Sequence, residues 1–137
     1  MINFEDKFFE KFEFTKEQTQ KHLNNSLKDL QIANRVGIID VKFNYAYSAL
    51  LKAGIALLSS SGRRIKSVPG HQVKIIQILA QLLDDKSIED LGNVMRTKRN
   101  QDFYGGGVEI TEKECRSYIN FVEGVVAKVG GLIKKHD

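Results

Sequence analysis

Pro69 is the only proline in a chain of 137 residues. On either side of it apolar residues recur every three to four positions, the period of an α-helix with one buried face. Without proline to remove backbone donors, such helices run long. Thr15-Lys16-Glu17-Gln18 reads as a capping box, in which the threonine oxygen and the glutamine side chain satisfy free backbone amides reciprocally. It opens a helix with the apolar line Leu23, Leu27, Leu30 and Ala33, interrupted by Gly37. A second helix spans about Asp40 to Ser60 and carries Phe43, Ala46, Tyr47, Leu50, Ala53, Gly54, Leu57 and Leu58. It is the most apolar segment and belongs at the centre of a bundle. A third carries Val73, Ile76, Leu79, Ala80 and Leu83. A fourth begins after a tight connection at Asp84-Asp85-Lys86-Ser87, with Asp85 or Ser87 as its cap, and stops at Gly105-Gly106-Gly107. After a short extended link at Val108-Glu109-Ile110, a second capping box, Thr111 to Glu114, opens the last helix, which reads Cys115, Tyr118, Ile119, Val122, Val125, Val126, Val129 and Ile133. Short connections favour antiparallel neighbours, so the expected fold is all-α, an up-and-down bundle of four to five helices forming one domain over residues 1–137. Phe4, Phe8 and Phe12, four residues apart, predict a short amphipathic lead-in helix or partner-docking segment within residues 1–14.

The charge balance is mildly basic, +4 with a pI near 9.2, which suits a phosphate-bearing partner without demanding one. No long block of like charges marks a disordered nucleic-acid-coating arm. Cys115 is the one cysteine, so no disulfide forms within the chain, as expected of a reducing, cytoplasmic setting. Valines follow it at helical spacing, which marks it as a packing residue. The N-terminus lacks the apolar run of a signal peptide. The apolar stretch from Tyr45 to Leu58 is broken by Lys52 and too short to cross a bilayer, so no membrane association is expected. The triple glycine follows a helix, whereas a phosphate loop feeds the start of one. His22, His71 and His136 are scattered without metal-ligand spacing. No cofactor and no metal are expected.

What remains is the segment from Arg96 to Gly107. Ile88, Leu91 and Met95 recur at helical spacing, and Arg99 falls next on the same stripe. A guanidinium keeps its charge, so on an apolar stripe it must meet a carboxylate, a phosphate or a water-filled cleft. A structural ion pair with Asp102 or Asp40 answers that need, as does snorkelling off the helix end. An anionic ligand held by Arg96, Lys98 and Arg99 answers it equally. Arg63, Arg64 and Lys66, in a basic loop before Pro69-Gly70-His71, either extend such a surface or are simply solvated.

At this segment the chain resembles the HEPN superfamily, of its nucleotidyltransferase-associated type or its SAV_6107-like type. The resemblance rests on Arg99-Asn100 with Tyr104 at the downstream family position, on Phe43 to Ala53 with its Tyr-Ala core, and on Gly70-His71-Gln72 at the third helix. It covers roughly Lys16 to Lys135. It implies a small helical bundle, often a homodimer, that binds nucleotide or RNA. Many members are ribonucleases of toxin–antitoxin or defence systems, in which an arginine and a histidine promote attack of a 2′-hydroxyl on the adjacent phosphate. Carried over, Arg99, Asn100 and Tyr104 occupy the catalytic positions, and Arg96, Lys98, Arg99, His71, Arg63 and Arg64 are nucleotide- or RNA-binding candidates. Tyr104 stands where the family has histidine. An unperturbed tyrosine titrates near pH 10 and is poorly matched to moving a proton at neutrality, so cleavage is the less expected outcome and phosphate binding the more expected one. His71 is a candidate substitute from another helix. The resemblance also admits a non-enzymatic module that pairs with itself or with a minimal nucleotidyltransferase.

Overall fold

The computed structural model describes residues 2–106 and 109–136, and of residues 102–105 and 136 the backbone alone. Among these, five helices form the up-and-down bundle: α1 (Lys16–Arg35), α2 (Ile39–Ser60), α3 (His71–Leu82), α4 (Lys86–Gly105) and α5 (Glu112–His136). Both capping boxes form. Thr15 N–H donates to Gln18 Oε1 at 2.8 Å while Gln18 N–H donates to Thr15 Oγ1 at 3.1 Å. Thr111 and Glu114 repeat the exchange at 3.3 and 3.1 Å. Asp85 caps α4 by accepting from Ser87 N–H at 3.0 Å. At the other end of α4, Gly106 takes the left-handed conformation (φ 88°) that only glycine adopts without cost.

The helix α2 is the hub and packs against α1, α3, α4 and α5. Its whole apolar stripe, Phe43 to Leu58, is buried. Polar contacts fix its register against the antiparallel α1. The Thr19 and Ser59 hydroxyls lie 2.6 Å apart, and Ser26 Oγ donates to the Ala49 carbonyl at 2.7 Å. The buried carboxylate of Asp29 accepts from Ser48 Oγ at 2.6 Å and pairs with Lys52 Nζ at 2.9 Å. The valine-rich stripe of α5 from Cys115 to Ile133 packs against α2 and α1 and closes the core. The turn from α3 to α4 is a Schellman-type stop, with Asp84 N–H on the Gln81 carbonyl and Asp85 N–H on the Ala80 carbonyl. It leaves Asp84 at φ 50°, a conformation aspartate tolerates better than most residues.

The structure departs from the sequence reading at the N-terminus and at three apolar positions. The lead-in segment is not a helix. Phe9–Lys11 forms a strand, β1, antiparallel to β2 (Arg63–Ile65), with Phe9 opposite Ile65 and Lys11 opposite Arg63. The basic loop is therefore partly a strand. Phe8, in the turn that precedes β1, and Phe9, at its first position, both bury against Leu58 and Ile78 in a second small core. Leu27, Val73 and Leu91, expected inside, are exposed. Each lies at the margin of its helix's apolar arc.

Candidate functional site

The buried stripe of α4 runs Ile88, Gly92, Met95 and then the half-buried Arg99, bypassing Leu91. Gly92 makes this possible: a Cβ there would lie 2.8 Å from Ile76 Cγ2, so only glycine lets α4 approach α3 this closely. Through this stripe α4 packs against both α2 and α3. Arg96 and Arg99 both act electrostatically on the Tyr47 phenol.

Tyr47 lies on α2 and is almost wholly buried. Its hydroxyl donates to Gln72 Oε1 at 2.8 Å, as a buried phenol needs a partner. Burial pushes the Tyr47 pKa far above the ordinary tyrosine value, and the two guanidiniums only partly offset this. The phenol therefore stays a neutral donor at physiological pH. With its carbonyl oxygen occupied, the Gln72 amide keeps two N–H donors. Gln72 is held in place by the start of α3, where Gly70 turns in the left-handed conformation (φ 83°) and His71 N–H donates to the Val68 carbonyl at 3.1 Å. His71 Nδ1 lies 2.9 Å from the same carbonyl and donates to it.

Arg96 is half-buried, and its Nε donates to Asn93 Oδ1 at 3.3 Å. Among the described residues no carboxylate lies within ion-pair distance of it. A guanidinium fork within electrostatic reach of a neutral phenol is an arrangement that suits an anion with several oxygens.

Other sequence candidates are placed differently. Asn100 is half-buried on α4. Tyr104 and Asp102 have backbone in the last turns of α4, and their side chains lie outside the described residues. Lys98 sits on the outer side of the helix, in a hollow with Asp90 and Val94. Arg63 and Arg64 are engaged at the hairpin. Arg63 stacks on Phe4 at 4.7 Å, and Arg64 stacks on Phe12 at 4.4 Å and pairs with Glu10 at 2.7 Å. The α1–α2 turn and the start of α5 enclose a separate hollow of about 450 Å³, with Lys42, Lys113 and Arg116 on its wall.

Compared with protein-family models, curated proteins and solved structures, the chain matches none. The character of the site therefore rests on its own residues. Among the described residues no group of histidine, cysteine and carboxylate side chains could hold a metal ion, and no helix is long and apolar enough to cross a membrane. Burial raises the Cys115 pKa, against smaller opposing effects of Lys42 and Arg116, which makes the thiol a poor nucleophile. Sequence reasoning treated Tyr47 as a core residue and did not foresee its bond to Gln72. The available signal was a phenol on a fully apolar stripe, which requires a polar partner.

Proposed function

We propose that the chain is a HEPN-like domain that binds a nucleotide or RNA through its phosphates, in a toxin–antitoxin or defence setting in the cytoplasm. Arg96 and Arg99 grip the phosphate, with Gln72 donating to it and Asn100 flanking it; Tyr104 stands at the family's catalytic position by sequence alone. The reading is supported by two α4 guanidiniums, Arg96 and Arg99, lying within electrostatic reach of one buried phenol, with Arg96 in no ion pair among the described residues. Binding without cleavage is the expected behaviour, since Tyr104 replaces the family histidine. Fluorescence anisotropy with a labelled single-stranded RNA and with a nucleotide tests it: wild type binds, and Arg99→Ala and Arg96→Ala each bind at least about tenfold more weakly, consistent with loss of a charge-assisted contact. The same incubations, analysed for RNA fragments, test the ribonuclease alternative. Fragments that vanish with Arg99→Ala would favour it.

A non-enzymatic pairing module is the second reading, favoured by the exposed Leu91 and Val94 on α4. Co-purification with a minimal nucleotidyltransferase would support it.

A further inference from the structure

The hollow of about 450 Å³ between the α1–α2 turn and the start of α5 has a divided wall. Val36, Ile39 and Cys115 give it an apolar side, and Lys42, Lys113 and Arg116 bring three cations to it. None of the three is in an ion pair among the described residues. Lys42 is half-buried, and its ammonium is held by backbone carbonyls, those of Val36 at 2.9 Å and Asn34 at 3.5 Å. An ammonium carries three N–H donors, so one is left over. Arg116 also has a neutral partner, with Nη1 donating to Asn34 Oδ1 at 3.0 Å. Lys42 and Arg116 both act electrostatically on the Cys115 thiol, so charge from α2 and from α5 converges on this wall.

Little opposes that charge. Glu112 is the one carboxylate on the wall among the described residues. The nearby Glu114 carboxylate is taken up by the capping box, accepting from Thr111 N–H and Thr111 Oγ1 at 3.3 Å each. The positive end of the α5 dipole adds to the same potential. Lys42 has a structural task, since it satisfies carbonyls at the end of α1 that the helix leaves unpaired. That task accounts for one cation and not for Lys113 and Arg116 gathered beside it.

We propose that this hollow binds a small organic anion, its carboxylate or phosphate head held by Lys42, Lys113 and Arg116 and its apolar body seated against Val36, Ile39 and Cys115. The guanidinium fork suits a head with several oxygens. The volume falls in the range of small-molecule sites, which pair an apolar lining with a few polar anchors. An inorganic anion would leave the apolar wall wet, and a neutral apolar molecule would leave the cations unmatched. The hollow shares no residue with the proposed phosphate site on α4, so it stands whether or not that site binds RNA.

Amide NMR of the full chain, titrated separately with benzoate, phenyl phosphate, inorganic phosphate and benzyl alcohol, tests this. Benzoate or phenyl phosphate, according to the head preferred, is expected to bind with Kd on the order of 1 mM or below. The amides of Val36, Gly37, Ile39, Lys113 and Arg116 should shift first. Inorganic phosphate and benzyl alcohol, each offering half of the chemistry, should bind more weakly. Lys113→Glu and Arg116→Glu, both at exposed positions, should each weaken the preferred anion at least about tenfold with circular dichroism unchanged. Glu112→Gln should tighten it, and the Arg96→Ala, Arg99→Ala double variant should bind it as wild type does. No shift at the hollow with either aromatic anion, an affinity indifferent to both charge reversals, or benzyl alcohol binding as tightly as the anions would overturn the proposal.

Discussion

The phenol of Tyr47 and the amide of Gln72 form a 2.8 Å hydrogen bond that joins α2 to the first turn of α3, within electrostatic reach of Arg96 and Arg99. The bond ties the bundle core to the proposed phosphate site. Tyr47→Phe keeps the packing and loses one hydrogen bond, so it should cost about 1 kcal/mol in urea unfolding. It should also weaken RNA binding while leaving the charge of the site unchanged.

The same residue predicts an alkaline effect. Burial raises the Tyr47 pKa above its unfolded value, so the stabilising contribution is complete below about pH 10, the ordinary tyrosine value, and is lost as pH rises beyond it. Wild type should lose thermal stability above that pH more steeply than Tyr47→Phe, measured by scanning calorimetry. Equal slopes would count against the buried, neutral phenol.

In the acid range the corresponding group is His22, whose ring meets Phe14 edge-on at 5.7 Å. Burial, and secondarily Lys21, lower its pKa below 6.5. The folded state therefore resists protonation, and the stability this group contributes is present above the unfolded value and lost as pH falls through the folded one. His22→Gln should flatten that part of the stability profile between pH 7 and pH 5.

Two glycines on helices predict opposite outcomes. Gly92→Ala meets Ile76 Cγ2 at 2.8 Å and should destabilise by about 1–3 kcal/mol, despite the better helix propensity of alanine. It should also weaken RNA binding, because α4 moves off α3 and carries both arginines with it. Gly124→Ala meets nothing within 4 Å and should stabilise by about 0.5–1 kcal/mol. Thermal melts of the pair separate close packing from propensity.

Much of this architecture was legible in the sequence because it is local. The Thr15 and Thr111 boxes need residues three apart, and the α2 and α5 stripes need only their own periodicity. Leu27, Val73 and Leu91 went astray because periodicity locates an apolar arc but not which margin of it a neighbouring helix covers. The hairpin escaped because Glu10 meets Arg64 across 54 positions, and because phenylalanines four apart also fit a helix. Arg99 was legible as an arginine on a buried stripe. The Tyr47–Gln72 bond was not, since a tyrosine among apolar residues does not name its partner.

The most direct test of the central claim is the salt dependence of RNA affinity. For a short single-stranded RNA, log Kd is plotted against log salt for wild type and for the Arg96→Ala, Arg99→Ala double variant. Removing two phosphate-binding cations from the grip on a single strand should reduce the slope by about 1.4 and weaken binding at low salt, with circular dichroism unchanged. Identical slopes and affinities in the two proteins would mean that these arginines hold no phosphate.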